Sequence, residues 1–273
     1  MNKLKLCVAG ASVLAALVLA PAASAWAPAA TAAIHPGVQT FTQGGQCTAN
    51  FIFTSGSTVY IGQAAHCSGT GGNTATDGCT SGTLPVGTKV DVTGASQQGT
   101  MVYNSWATMQ SKGETNPDTC AFNDLALVQL DPSDVAKVNP SVPGFGGPTG
   151  VAEAPTNQGA TVYTYGNSEL RGGVSQTSPK QGVVVQQQGN GWSRDVYTAT
   201  PGIPGDSGSG FLDSSGNAIG VLSTVQIAPL AGSNGVGDLA REITYMHANA
   251  NGAYVAPGTQ PFNPSLAAAI LGP

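Results

Sequence analysis

The chain has 273 residues, 14 acidic against nine basic side chains, and only 8% charged residues in all. An acidic chain of this kind lacks the basic face that a nucleic-acid partner requires. Beyond residue 25 no stretch is long and apolar enough to cross a bilayer, so we expect a product that binds neither nucleic acid nor membrane.

The first 25 residues have the pattern of a secretory signal peptide. Lys3 and Lys5 give a positive start, residues 8–20 form an apolar run, and residues 23–25 offer a small-residue cleavage site. A transmembrane helix is the alternative, but the apolar run is short and Pro21 interrupts it. We therefore expect a signal peptide at 1–25 and a secreted, extracellular product.

The cysteines predict two disulfides. Cys7 lies in the signal segment, which leaves Cys47, Cys67, Cys79 and Cys120. An even number in an exported chain is typical of disulfides, and four cysteines allow three pairings, of which the sequential one closes the shortest loops. A zinc site is the alternative, but no cysteine pair has the two-to-four-residue gap that structural zinc favours.

The rest of the chain has the pattern of an all-β protein. Residues 26–37 are rich in Ala and Pro and predict a loosely ordered N-terminal arm. Short runs of β-branched and aromatic residues then alternate with turn residues, which favours a sandwich or barrel. The predicted strands include Thr48–Phe53, Thr58–Gln63, Lys89–Thr93, Leu125–Leu130, Thr161–Tyr165, Gly182–Gln188, Asp195–Thr198 and Ala218–Val225.

Helical spacing appears only near residues 238–248, where Leu239, Ile243 and Met246 share one face. Residues 141–159, rich in Gly and Pro, predict a connector between two β halves. The tail, residues 256–273, has no role that the sequence assigns.

Three short strings carry residues suited to nucleophilic catalysis. Residues 64–67 read A-A-H-C, residues 123–128 read N-D-L-A-L-V, and residues 205–210 read G-D-S-G-S-G. A serine hydroxyl needs a base, here His66, to take its proton, and Asp124 would orient and stabilise the imidazole. In the glycine-rich turn, the amides of Gly205 and Ser207 could both stabilise a developing oxyanion.

In this order the three strings resemble the catalytic boxes of the chymotrypsin-like (trypsin-like) serine peptidases, particularly their bacterial secreted members. The order His, Asp, Ser separates them from subtilisin-like enzymes and α/β-hydrolases. The resemblance, over about Cys47–Val225, implies a chymotrypsin-like double β-barrel with a cleft between two perpendicular six-stranded barrels and a short C-terminal helix. It divides a peptidase domain, 38–255, into barrel one at about 38–140, the connector, barrel two at about 160–237 and the helix.

Each proposed catalytic residue also has an ordinary structural interpretation. Most lone histidines are structural, but His35 lies in the arm and His247 in the predicted helix, which leaves His66 as the candidate. Asp124 alone would more often be a strand cap. Ser207 alone would more often be a turn serine.

The chain departs from the animal members of this family, in which a new N-terminal amine on an Ile-Val-Gly-Gly start pairs with the Asp beside the nucleophile. No such start is present, and a buried unpaired Asp206 would be costly. We hypothesise that Arg171, Arg194 or Arg241 supplies the charge. The alternative is that the arginines lie on the surface and hydrogen bonds or solvent stabilise Asp206.

The resemblance also assigns a substrate pocket to Thr200, Pro201 and Gly202 and an edge strand to Ser223, Thr224 and Val225. Pro201 stands where trypsin-type enzymes carry an aspartate, and Leu222 stands where glutamate-specific relatives carry a histidine. The edge strand would pair with an extended substrate, and the branched Val225 would narrow the pocket. We expect an uncharged pocket that prefers small or medium apolar residues.

The sequence therefore predicts a secreted serine endopeptidase, acting as a monomer on protein or peptide substrates through an acyl-enzyme, without a metal or organic cofactor. Two alternatives stay open: a catalytically silent relative that binds peptides in the same cleft, and an esterase that uses the same triad.

Overall fold

The computed structural model describes residues 26–72, 76–226, 230–250 and 252–271. Residues 1–25, interpreted above as a signal peptide, lie outside the described residues. Within the described ranges, no helix combines the length and apolar character needed to span a membrane.

Strands are the main regular secondary structure of the described ranges. The strands of the described ranges are β1 (Gln39–Thr42), β2 (Gly45–Thr48), β3 (Ile52–Ser55), β4 (Thr58–Ala64), β5 (Lys89–Val92), β6 (Gly99–Asn104), β7 (Leu125–Gln129), β8 (Thr161–Tyr165), β9 (Pro179–Gln188), β10 (Ser193–Thr198), β11 (Gly210–Asp213), β12 (Ala218–Val225), β13 (Asn234–Asp238) and β14 (Tyr254–Val255). The α-helices in the same ranges are α1 (Ser105–Lys112), α2 (Pro117–Phe122), α3 (Leu239–Asn249) and α4 (Leu266–Leu271).

The second half of the chain forms a closed barrel in the order β10-β13-β12-β11-β8-β9. Its apolar side chains, among them Val184, Val196, Phe211 and Val236, form one buried cluster. Closure pairs every strand on both sides and leaves no open edge. The all-β fold class is confirmed.

The first half of the chain forms an eight-stranded sheet in the order β14-β3-β4-β7-β6-β5-β1-β2, which differs from the expected six-stranded barrel. The outermost strand β14 comes from the C-terminal end of the chain, where Tyr254 pairs with Thr54 of β3. Ala253 and Ala256 on either side of β14 are buried, and the Ala256 N–H donates to the Ile52 carbonyl. This return of the chain covers the edge of β3.

The helices are only partly as the sequence predicts. Helix α3 is confirmed, with Leu239, Ile243 and Met246 buried on one face. Helix α1 was not predicted, although both its ends are marked: the Asn104 side chain accepts from the Ala107 N–H, and Gly113 has a φ of 66°. Its eight residues are too few to give a clear helical period.

The expectation of a loosely ordered N-terminal arm is wrong. Ile34 is completely buried, its N–H donates to the Lys137 carbonyl, and the Ala27 N–H donates to the Val138 carbonyl. Burying an isoleucine side chain stabilises by about 1.5–3 kcal/mol, which fixes the arm against the first sheet.

The predicted strand Thr48–Phe53 is two strands. Strand β2 ends at Thr48 and β3 begins at Ile52. Between them the Asn50 side chain accepts from the Phe51 N–H at 2.7 Å, a local hydrogen bond that replaces a ladder contact.

Candidate active site

His66 lies on a short 3-10 helix, Ala65–Ser68, that directly follows β4. The adjacent Cys67 forms a disulfide with Cys47 in β2, and Cys79 is bonded to Cys120, so the sequential pairing is confirmed. Trp106, at the start of α1, has its ring 6.4 Å from the imidazole ring, centroid to centroid. The His66 side chain keeps 25% of its surface exposed, so a substrate can reach it.

Asp124 holds both the backbone and the ring of His66. One carboxylate oxygen, Oδ1, accepts from the His66 N–H at 2.8 Å, and Oδ2 lies 2.7 Å from His66 Nδ1. The Asp124 carbonyl accepts from the Ala65 N–H, which ties the residue ahead of β7 to the end of β4. These contacts leave Nε2 as the ring nitrogen available for proton transfer.

This pairing controls the charge of the imidazole. Burial lowers the pKa of His66, but the negative charge and hydrogen bond of Asp124 raise it more, and the net direction is upward from the ordinary value of 6.5. The imidazolium that forms when His66 takes a proton is therefore stabilised.

Two further side chains hold Asp124, and sequence reasoning did not assign either to it. Ser223 Oγ donates to Asp124 Oδ2 at 2.5 Å, whereas Ser223 was predicted only to contact substrate. Glu242 Oε1, from α3, accepts from the Asp124 N–H at 2.9 Å. Burial raises the pKa of Glu242 well above its ordinary value of 4.5. The sequence signal that could have revealed Glu242 is its place directly beside Ile243, on the apolar face of α3.

Ser207 follows a tight turn and lies in a cleft of about 1230 Å³ that His66 also lines. The Ser207 carbonyl accepts from the Thr48 N–H, and the Gly208 N–H donates to the Leu222 carbonyl, which fixes the turn between the two halves of the molecule. Among the described residues, no direct hydrogen bond joins the hydroxyl of Ser207 to the His66 ring. Such contacts commonly tighten only when substrate binds.

The amides proposed to bind an oxyanion belong to Gly205 and to Ser207 itself. Across the described ranges, the N–H groups of Gly205 and Ser207 donate to no protein acceptor. Gly205 has a φ of 96°, a conformation that glycine adopts without strain. Both donors are available to a ligand in the cleft.

Asp206 is completely buried and pairs with two cations. Arg171 Nη2 and Lys180 Nζ both donate to Asp206 Oδ2, the lysine at 2.6 Å. The hypothesis that an arginine pairs with Asp206 is thus confirmed for Arg171. The other two arginines lie elsewhere: Arg194 pairs with Asp238, and Arg241 donates to the Asn190 carbonyl.

Lys180 was not anticipated as a partner of Asp206. It is 3% exposed, and its ammonium also donates to the Pro201 carbonyl at 3.2 Å. Burial lowers the pKa of Lys180 despite the neighbouring carboxylate. A single lysine at the start of a β-strand carries no sequence signal of burial, because lysines are almost always exposed.

The structure places only some of the residues assigned to substrate binding in the wall of the cleft. Gly202, Ser223, Thr224 and Val225 line the cleft, as does Leu222. Thr200 and Pro201 are exposed and lie outside the wall of this cleft.

Asn234 of β13 supports the cleft wall at Gly202 and was missed by sequence reasoning. Its Oδ1 accepts from the Gly202 N–H at 2.9 Å, and its Nδ2 donates to Thr198 Oγ1. A Cβ added to Gly202 would lie 2.5 Å from Asn234 Oδ1, 3.3 Å from a Leu222 methyl and 3.5 Å from a Val225 methyl. This wall is uncharged and closely packed.

Within the part of the chain that the structure describes, two groups of side chains have the ligand types of a metal site. They are Cys47, His66 and Cys67, and Asp77, Cys79 and Cys120. In each group both cysteines belong to a disulfide, so neither sulfur is available as the thiolate that binds zinc.

Comparison with known proteins gives the family. The family model named Trypsin matches residues 33–237, which is more than half of the chain. The chain therefore belongs to the trypsin family of serine proteases. Among curated proteins, no sequence matches this chain.

Solved structures support the same fold. Protease A of Thermobifida fusca shares 19% identity with a TM-score of 0.53, covering 82% of this chain and 99% of that one. The Nocardiopsis protease NAPase shares 18% identity with a TM-score of 0.51, covering 81% and 98%. Chymotrypsin of Cellulomonas bogoriensis shares 16% identity with a TM-score of 0.50, covering 82% and 98%.

Proposed function

We propose that the protein is a secreted serine endopeptidase with Ser207 as nucleophile, His66 as general base and acid, and Asp124 as the orienting residue. The observation that carries this proposal is the 2.7 Å contact between His66 Nδ1 and Asp124 Oδ2, in a histidine that shares one cleft with Ser207. Family membership adds support, because the matched region contains all three residues.

The proposed reaction has two halves. In the first, Ser207 Oγ bonds to the scissile carbonyl carbon while His66 Nε2 takes the hydroxyl proton. The resulting oxyanion accepts hydrogen bonds from the amides of Gly205 and Ser207. His66 then gives the proton to the leaving amine, the C–N bond breaks, and an acyl-enzyme remains on Ser207.

In the second half, water replaces the amine. His66 takes a proton from water as its oxygen bonds to the acyl carbon. The ester bond to Ser207 Oγ then breaks, and His66 returns the proton to that oxygen. The products are two shorter peptides, and the enzyme regains its starting state. No step calls on a metal or an organic cofactor.

The proposed specificity follows from the uncharged pocket wall. Leu222 and Val225 offer methyl groups, and the Asn234 amide is committed to hydrogen bonds with Gly202 and Thr198. A pocket of this kind has no charge to pair with Lys, Arg, Asp or Glu. We expect a preference for a small or medium apolar residue before the scissile bond.

Secretion rests on the signal pattern of residues 1–25 and on the two disulfides, which persist in oxidising compartments. The paired Asp206 also supports an enzyme that is active without cleavage of a zymogen, because Arg171 and Lys180 supply the positive charge within the folded chain. We propose an extracellular monomer that acts on protein or peptide substrates.

Profiling of cleavage sites on a denatured protein mixture tests the function and the pocket together. The wild-type protein should cut preferentially after small or medium apolar residues, and Ser207→Ala should leave the mixture intact. Binding of peptides without cleavage would favour a silent relative, and cleavage of esters alone would favour an esterase. Either result would contradict the proposal.

A further inference from the structure

The residues that precede the nucleophile form a tight turn whose central peptide could in principle point either way. Residues 203–206 make a β-turn closed by the Asp206 N–H and the Ile203 carbonyl at 2.9 Å. Pro204 occupies the second position, and Gly205 occupies the third with a φ of 96°, the pattern of a type II turn. In a type I turn, the alternative with a negative φ at Gly205, the central peptide is reversed.

The orientation of this central peptide decides whether an oxyanion donor exists. In a planar trans peptide the carbonyl and the N–H point in opposite directions, so the direction of the Pro204 carbonyl fixes that of the Gly205 N–H. Reversal of the peptide would present the Pro204 carbonyl oxygen where the donor is needed. That oxygen would repel a developing oxyanion.

One side chain holds the Pro204 carbonyl. Ser168 Oγ donates to it at 2.5 Å and also accepts from the Leu170 N–H. Ser168 is 2% exposed, and its Oγ would lie 2.9 Å from a Cβ added to Gly205. The hydroxyl is therefore packed directly against the turn.

The neighbouring groups fix the position of Ser168 itself. Its N–H donates to Asp206 Oδ1 at 3.1 Å, and it caps the short 3-10 helix Glu169–Arg171 that carries the arginine paired with Asp206. On the other side of the turn, Thr48 Oγ1 and Gln46 Nε2 hold the Gly205 carbonyl at 2.7 and 3.0 Å. Two peptide groups meet at Gly205. Ser168 holds the Pro204–Gly205 peptide, which carries the Gly205 N–H, the proposed oxyanion donor.

We propose that Ser168 is the positioning residue of the oxyanion site: its hydroxyl selects the turn conformation in which the Gly205 N–H faces the reacting carbonyl. The inference rests on the proposed function and adds to it a residue that does not touch substrate. Its proposed effect on the reaction runs through the Pro204–Gly205 peptide, so it should affect the transition state and not the binding of substrate.

The test compares Ser168→Ala with an isosteric pair, Ser168→Thr and Ser168→Val, in the mature disulfide-bonded protein. Ser175→Ala, which removes an exposed hydroxyl nearby, is the matched control. Active enzyme is counted by titration with a fluorophosphonate. The kcat and KM are measured on a peptide anilide, and affinity is measured for a peptide aldehyde of the same sequence, which forms a tetrahedral adduct.

The Ala and Val variants should lose about 10- to 100-fold in kcat, somewhat less than the loss of a whole oxyanion donor. Their affinity for the aldehyde should fall in parallel, and their KM should stay within about twofold. Ser168→Thr should restore most of the activity. The apparent pKa of His66 in the pH profile should not move in any variant.

Several results would overturn the proposal. One is an unchanged kcat in the Ala and Val variants, and another is a loss confined to KM. An activity in the Thr variant as low as that of the Val variant would also contradict the proposal. So would a Val variant that fails to fold when the Thr variant folds. If the wild-type protein neither reacts with fluorophosphonate nor cleaves peptides, the proposed function fails instead.

Discussion

Ser223 Oγ lies 2.5 Å from Asp124 Oδ2, so a residue of the barrel strand β12 donates to the carboxylate at the start of β7 in the other sheet. This hydrogen bond links the two halves of the molecule at the residue proposed to orient the imidazole. Ser223 thus contributes to the geometry of the proposed catalytic group as well as to the wall of the cleft.

Replacing Ser223 by Ala should lower kcat/KM about 10- to 150-fold, because a hydrogen bond to a charged acceptor contributes about 1.5–3 kcal/mol. Ser223→Thr, which keeps the hydroxyl, serves as the control and should retain more activity. Steady-state kinetics on one peptide substrate would check this. Equal activity in the wild-type and Ala proteins would show that the contact is dispensable.

Replacing Asp124 by Asn should lower kcat by about four orders of magnitude, because the amide would favour the wrong imidazole tautomer. In the wild-type protein kcat/KM should fall as pH drops, since protonated His66 cannot act as a base. Because the pKa of His66 is raised, the pH at which kcat/KM has fallen to half its maximum should lie above 6.5. Loss of the carboxylate should move the midpoint to lower pH, measured from rate against pH. An unchanged midpoint would show that the Asp124 carboxylate does not raise the pKa of His66.

The buried cations around Asp206 should act together. Arg171→Met or Lys180→Met alone leaves one cation on the carboxylate, and we expect each to destabilise the fold and lower activity. The double variant leaves a buried charge unpaired, at a cost of about 3–5 kcal/mol or more. Urea denaturation would measure this, with Arg241→Met as the control because Arg241 lies away from Asp206. A double variant as stable as either single variant would refute the pairing.

Glu242→Gln should be tolerated and should change the pH dependence of stability. The folded-state pKa of Glu242 is raised above its ordinary value of 4.5, so its stabilising contribution is full below about pH 4.5 and is lost as pH rises toward the folded pKa. The Gln variant lacks this titration and should gain stability relative to wild type as pH rises from 4 to 8. Thermal unfolding across that range would measure the difference. Parallel curves would show that Glu242 does not titrate in this way.

The sequence singles out the residues proposed to react more readily than it does the residues that hold them. His66, Asp124 and Ser207 stand in short strings of distinctive composition, and the structure brings the first two into contact and the third into the same cleft. Lys180 and Glu242 are buried ionisable residues, a placement that their residue types disfavour, so only the three-dimensional packing reveals them. Asn234 lies 32 residues from Gly202 along the chain, and no local pattern joins them.

The fold shows the same difference between local patterns, which the sequence reveals, and long-range packing, which it does not. The strand and helix patterns near residues 161–165, 218–225 and 239–249 are local, and the structure contains β8, β12 and α3 there. The pairing of β14 with β3 joins residues about 200 positions apart, which depends on tertiary packing. Burial of Ile34 likewise converts a segment of loop-like composition into an ordered arm.

Mapping the site of a fluorophosphonate adduct by mass spectrometry tests the proposed chemistry most directly. We expect a single label on Ser207, no label in Ser207→Ala, and labelling of His66→Ala slower by about a thousandfold or more. A label on another residue, or the same rate without the imidazole, would contradict a nucleophile at Ser207 that is activated by His66.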